Sequence, residues 1–170
     1  MKHTGGCLCG QYKFETELEP MLIIQCNCSK CRKLSGSYQI GCLYSVEEIQ
    51  ESGETAVYEF EGGSGFINTV HFCINCHVRC KTHPAKEVME GMVGIPLGIF
   101  DTAKSLSPKA EIWTAEKLPF LKTDVGESLP WVRIPPPPPQ NPNKPSKPKK
   151  NKRLFINRTF LKPEVFLLSQ

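Results

Sequence analysis

Seven of the nine cysteines in this chain are gathered into three short clusters, and their spacing constrains the fold more than any other feature. The segment from Cys26 to Lys33 reads Cys-Asn-Cys-Ser-Lys-Cys-Arg-Lys and places three thiols, Cys26, Cys28 and Cys31, within six residues. A structural zinc site is normally closed by four protein ligands, whereas three leave a coordination position for water or a substrate. No fourth ligand lies nearby in the sequence, so the triplet reads as a site for chemistry. The plainer alternative is a structural knuckle completed by a ligand from elsewhere in the chain. Lys30, Arg32 and Lys33 add positive charge, which favours thiolate over thiol and suits an anionic ligand. The other two clusters, Cys7/Cys9 and Cys73/Cys76, are far apart in sequence. Two short turns that each supply two thiolates meet the need of zinc for four soft ligands in a tetrahedron. Cys-x-Cys alone is a weak signal, and the pairs can also sort with the triplet.

Whether such cysteines bind metal or form disulfides depends on the compartment. The N-terminal Met-Lys-His-Thr-Gly-Gly-Cys contains no apolar signal region, and no run approaches the roughly 18 apolar residues of a membrane span. A soluble, cytoplasmic protein without a membrane partner is expected, and in a reducing compartment close cysteines are metal ligands more often than bridges. Cys73-Ile-Asn-Cys76-His77 also spells the c-type haem attachment sequence, but that chemistry belongs to exported proteins. A thioredoxin-like pair expects a parallel βαβ setting that the pattern does not supply. Cys42 and Cys80 read as buried core thiols. His71 and His77 read as ligands or, more often for histidine, as hydrogen-bonded structural side chains.

The length of 170 residues suits one domain with an appendage. Residues 1–134 carry 13 Lys and Arg against 16 Asp and Glu, whereas residues 135–170 carry 8 against 1, so the basic excess lies in the tail and not in the domain. From Gln11 to Glu17 the pattern alternates with Tyr12 and Phe14 on one face, and Met21 to Ile24 is a short apolar run leading into the triplet. Ser29 to Leu34 fits a single helical turn closed by Gly36, and Tyr38 to Tyr44 another strand. Ser45-Val-Glu-Glu48 reads as a capping box opening a short helix that ends near Gly53. Val57 to Glu61 and Phe66 to Phe72 flank Gly62-Gly63-Ser64-Gly65 as a hairpin, and Met92 to Ile99 and Ala110 to Thr114 are later strands. The sum is a mainly β, antiparallel domain with short helical turns. At Pro135 five prolines begin a Pro/Lys-rich segment without core-forming residues, which reads as a disordered tail over 134–170.

The order Gly-Gly-Cys-x-Cys-Gly, then Cys-x-Cys-Ser-x-Cys-Arg-Lys, then Phe-Cys-x-x-Cys resembles the glutathione-dependent formaldehyde-activating enzyme and centromere protein V family. The resemblance runs over about residues 4–133 and includes Gly98-Ile-Phe-Asp101 and the stretch from Ile112 to Pro119. It implies a β-tent of antiparallel sheets, a structural zinc on Cys7, Cys9, Cys73 and Cys76, and a second, weaker zinc on Cys26, Cys28 and Cys31. The chain departs from the family pattern at His77, where glycine is usual, so the turn there is open to change and the imidazole is placed to approach the metal. The implied activity is that of a zinc-dependent carbon–sulfur lyase acting on a glutathione adduct such as S-(hydroxymethyl)glutathione. The triplet would be catalytic, with Arg32 and Lys33 contacting glutathione carboxylates. The alternative is a non-catalytic zinc-fold scaffold whose basic tail contacts nucleic acid or a protein partner and directs the chain to the nucleus.

Overall fold

In the computed structural model, residues 2–129 apart from 64, 124 and 126 are described, with the backbone alone for 127–129. The expected domain boundary at 133/134 and the tail lie outside these residues. The strands are β1 (His3–Gly6), β2 (Lys13–Thr16), β3 (Leu22–Cys26), β4 (Gln39–Ser45), β5 (Gln50–Ser52), β6 (Thr55–Glu61), β7 (Ile67–Cys73), β8 (Arg79–His83), β9 (Met92–Pro96), β10 (Ala110–Ile112) and β11 (Glu127–Leu129). Two short helices, α1 (Ser29–Ser35) and α2 (Lys86–Met89), complete the set together with several 3-10 turns. The fold is mainly β, as expected. Among the described residues, no helix is long and apolar enough to cross a membrane.

The strands form a small sheet, β1-β2-β5, and a long one in the order β11-β10-β3-β4-β9-β8-β7-β6. Most pairings are antiparallel, with two parallel exceptions at one end, where β10 lies between β3 and β11. The alternation that marks β2 sends Phe14 inward, where its ring meets Phe100 edge-on at 4.8 Å. Tyr12, Tyr44, Ile95, Val93 and the buried thiols Cys42 and Cys80 pack in the same core. Burying each large apolar side chain stabilises the fold by about 1.5–3 kcal/mol. The small sheet is joined to this core where Gly5 bridges to Phe100. A β-carbon at Gly5 would lie 2.0 Å from the Ile99 carbonyl, so only glycine permits that approach.

The hairpin of β6 and β7 pairs from Thr55 opposite Cys73 to Glu61 opposite Ile67, and it delivers the Cys73–Cys76 turn as the sequence indicated. Helix α1 ends at Gly36, whose φ of 90° lets its N–H donate to the Arg32 carbonyl at 2.8 Å. After Ser45 the expected helix is only a 3-10 turn, Val46–Glu48, in which the Glu48 carboxylate accepts the Ser45 N–H at 2.8 Å. Gln50–Ser52 then pairs with β2 instead of continuing the helix. Completing the free edge of the small sheet outweighs the weak helical preference of so short a segment. β1 and β8 carried no strand signal, because His-Thr-Gly-Gly and Arg-Cys-Lys-Thr-His have little apolar alternation. Their pairing is set by neighbouring strands.

Candidate metal and active site

The seven clustered sulfurs divide four and three. Cys7, Cys9, Cys73 and Cys76 form one group and Cys26, Cys28 and Cys31 the other, with the sulfurs of each group within 4.8 Å of one another. Ligand separations of 3.5 Å between Cys7 and Cys9 and 3.7 Å between Cys9 and Cys73 approach the ~3.8 Å sulfur–sulfur edge of a tetrahedral zinc–thiolate centre. Both donor sets therefore fit a soft metal ion. The alternative in which the pairs exchange partners with the triplet does not occur.

The four-sulfur group joins the β1–β2 turn to the β7–β8 turn. Burial raises the Cys7 thiol, but the Tyr12 N–H, which donates to the Cys7 sulfur at 3.2 Å, acts with hydrogen bonds from Cys73 and Cys76 to bring it below its ordinary value. The backbone N–H of Gln11 and the side chain of Asn75 bring Cys9 down to about 6. Such N–H···S bonds are how short turns stabilise thiolates. His77 takes the position where glycine was expected, with φ of 57°, and its N–H donates to the Cys73 carbonyl at 3.0 Å. The left-handed turn is thus kept despite the side chain. The imidazole is exposed and outside the four-sulfur set, so the expectation that it approaches the metal is not met. His71 is a structural side chain, with Nδ1 2.9 Å from the Thr55 hydroxyl.

The triplet spans the end of β3 and the start of α1. Cys26 closes the strand, Asn27 turns the chain, and Cys28 caps the helix by accepting the Cys31 N–H at 3.4 Å. The Cys26 and Cys31 thiols donate to Cys28, and with its backbone donors they hold Cys28 down at about 2. Cys26, as donor to the other two, is pushed up. The bond from Cys26 lowers Cys31, but donation to Cys28, burial and the Cys28 charge together raise it to about 11.

A buried polar network holds this turn. Glu111, on β10, is 2% exposed, and its Oε1 accepts from Gln25 Nε2 at 2.7 Å, Asn27 Nδ2 at 3.0 Å and the Thr123 hydroxyl at 3.0 Å. Lys117 Nζ lies 2.9 Å from the same oxygen. Burial would raise the Glu111 carboxyl, but the bonds from Lys117, Asn27 and Thr123 prevail and lower it. Gln25 and Asn27 flank Cys26, so the network fixes the backbone on both sides of the first thiol. Glu116 then grips the helix: its Oε2 accepts the Ser29 N–H at 2.7 Å and its carbonyl accepts Arg32 Nη1 at 2.9 Å. Lys30 Nζ donates to the Gly62 carbonyl at 2.9 Å, tying the tip of the β6–β7 hairpin to the triplet. At that tip Gly63 packs so closely on Trp113 that a β-carbon would lie 2.8 Å from its ring. Trp113 itself has φ of 59°, an unusual conformation for a bulky residue.

Of the residues expected to contact substrate, Arg32 is engaged at Glu116 and Lys33 is exposed on α1. Sequence reasoning missed Arg79, Gln39, Glu111 and Glu116. Only Glu116 lay in a segment, Ile112 to Pro119, that carried a family signal.

No curated protein matches the chain. Among solved structures, a crystal structure of a Rhodobacter sphaeroides protein is similar at 21% identity over 62% of this chain and 91% of that one, with a TM-score of 0.47. A family model described as glutathione-dependent formaldehyde-activating enzyme matches residues 2–116. With the cysteine order and spacing that mark it, the chain belongs to the glutathione-dependent formaldehyde-activating enzyme family.

Proposed function

We propose that this protein is a zinc-dependent carbon–sulfur lyase that makes or breaks the hemithioacetal between glutathione and a small aldehyde, with S-(hydroxymethyl)glutathione as the reference substrate. The observation that carries the reading is the three-sulfur group, which supplies one ligand fewer than a closed structural site. Membership of the family supports the glutathione-linked chemistry.

Cys26, Cys28 and Cys31 would hold the catalytic zinc, and Cys7, Cys9, Cys73 and Cys76 the structural one. When bound at the triplet, zinc supplies Lewis acidity toward the sulfur or oxygen of the adduct. The chain's own groups do the rest. The Glu111 network and the Glu116 grip fix the spacing of the three sulfurs, so the site is organised before substrate arrives. Arg32 and Lys33, at the foot of α1, bind glutathione carboxylates and orient the thiol toward the triplet. In the condensing direction the glutathione thiol gives up its proton, its sulfur pair bonds to the aldehyde carbon, and the carbonyl π pair moves to oxygen, which takes up a proton. In the lyase direction the carbon–sulfur bond breaks, the pair stays on sulfur and the hydroxyl loses its proton.

The test is turnover of glutathione and formaldehyde by the zinc-loaded protein, followed by proton exchange spectroscopy of the adduct. The wild type accelerates exchange, and Cys28→Ser abolishes the acceleration with the fold retained. Equal exchange rates with and without the wild-type protein would refute the assignment.

A further inference from the structure

A cationic side chain from another strand reaches the ladder partner of Cys26. Arg79 opens β8, three residues after Cys76, and its side chain reaches across to the start of β4. There Nη1 donates to Gln39 Oε1 at 2.8 Å, and Gln39 is the ladder partner of Cys26. On the other side Nε donates to the Thr82 hydroxyl at 3.1 Å, with Nη2 on the same oxygen. These bonds use three of the five N–H groups of a guanidinium and fix its plane. The residue is half-buried at the point where the ladder between β8 and β9 narrows to the single pair Thr82 and Gly94. Burial lowers the Arg79 guanidinium, and attraction to Cys31, Cys26 and Cys28 opposes that loss. Lys30, by contrast, is tied to the Gly62 carbonyl, and Lys33 is exposed to solvent.

We propose that Arg79, held by Gln39 and Thr82, is the anion-recognition residue of the three-cysteine site. Its two remaining N–H groups, which Gln39 and Thr82 leave unused, would draw a ligand thiolate to the triplet. The assignment rests on the reading of the triplet as a substrate-binding metal centre. A cation set in place before binding costs no reorganisation when the ligand arrives, unlike a lysine that must leave solvent. Three thiolates around a divalent ion carry a net negative charge, and a fourth anionic ligand adds to it. A half-buried guanidinium offsets that repulsion in a lower dielectric than a surface lysine does.

The experiment uses the full chain with Arg79→Gln, Arg79→Lys and Gln39→Met. Zinc affinity at the triplet is read by chelator competition, and thiol binding to the zinc-loaded protein by calorimetry with glutathione and with 2-mercaptoethanol. Arg79→Gln is expected to weaken zinc at the triplet by ~10-fold, within the range of outer-shell changes at metal sites, and to leave the four-cysteine zinc in place. Both thiols lose affinity by a similar factor, because the sulfur is what Arg79 recognises. Arg79→Lys restores most of the zinc affinity. Gln39→Met, which releases only one tether, changes both readouts in the same direction by a smaller factor and stands in if Arg79→Gln does not fold. Unchanged zinc and thiol affinities in both variants overturn the proposal, as does a loss confined to glutathione, which would make Arg79 a carboxylate contact. Zinc affinity that depends on Arg79 in a protein with no adduct turnover would uphold this inference and sink the proposed activity. Turnover with no dependence on Arg79 would do the reverse.

Discussion

Replacing Glu111 tests how the triplet is held. The carboxylate is 2% exposed and gathers donors from Gln25, Asn27, Thr123 and Lys117. In Glu111→Ala, Gln25 and Asn27 lose their shared acceptor and keep only the weaker bonds to Asn27 Oδ1 at 3.3 Å and to the Ile112 carbonyl at 3.1 Å, and Lys117 loses its counter-charge. Breaking a buried ion pair by removing one partner costs about 3–5 kcal/mol. The Lys117 side chain is 19% exposed and can turn toward solvent, so its share falls, while the two amides that each lose one acceptor add to the cost. The expected loss is about 4 kcal/mol. Glu111→Gln keeps the oxygen that serves Gln25 and Asn27 but sets an amide NH2 against Lys117, for a loss of about 2 kcal/mol. Urea unfolding at fixed free zinc measures both. Because Gln25 and Asn27 flank Cys26, zinc affinity at the triplet falls about 10–100-fold in the alanine variant. Since the folded carboxyl lies below its ordinary value, its contribution is complete above the unfolded value of about 4.3 and is lost as pH falls through the folded one. The acid limb of the stability curve should therefore flatten in both variants. A loss below about 1 kcal/mol in Glu111→Ala, with triplet affinity unchanged, would refute the view that this network positions the first thiol.

Three further outcomes are expected. His77→Gly stabilises the protein by about 1 kcal/mol in thermal or urea unfolding, because the left-handed turn at φ of 57° then costs no side-chain strain. Gly5→Ala does the opposite, because its β-carbon would meet the Ile99 carbonyl at 2.0 Å, and a loss of at least about 2 kcal/mol is expected. Burial, then Lys81 and His83, hold His71 at about 4, so the unfolded chain binds a proton there that the folded chain does not. Its contribution is present above about 6.5 and is lost as pH falls toward 4, and His71→Gln should remove about 1 kcal/mol of that dependence after allowance for screening at a half-buried site.

Much of this architecture was legible before the coordinates. Cysteine spacing gave the four-and-three division, because metal geometry acts on residues only two or three apart and so leaves its mark locally. The β6–β7 hairpin and α1 were legible for the same reason, through the Gly62–Gly65 loop and Gly36. What stayed hidden were features made by contacts across the chain. β5 forms because β2 has an open edge, against a local helix signal from Ser45 and Glu48. Glu111 and Gln25 look like ordinary polar strand residues until a parallel pairing places them together in the interior. Arg79 sits in a stretch with no apolar rhythm, and nothing in its neighbourhood shows that it reaches Gln39, forty residues away in sequence. The charges adjacent to Cys31 were the visible candidates, whereas the cation bonded to the ladder partner of Cys26 arrives from a different strand.

The central claim is that one sulfur group locks the scaffold and the other holds an ion that can take a further ligand. Zinc counting by native mass spectrometry tests it most directly on the wild type, Cys28→Ser and Cys73→Ser. Two zinc ions in the wild type, one in a folded Cys28→Ser, and loss of the fold in Cys73→Ser are expected. Two ions retained in Cys28→Ser, or a folded Cys73→Ser that keeps only the triplet ion, would contradict it.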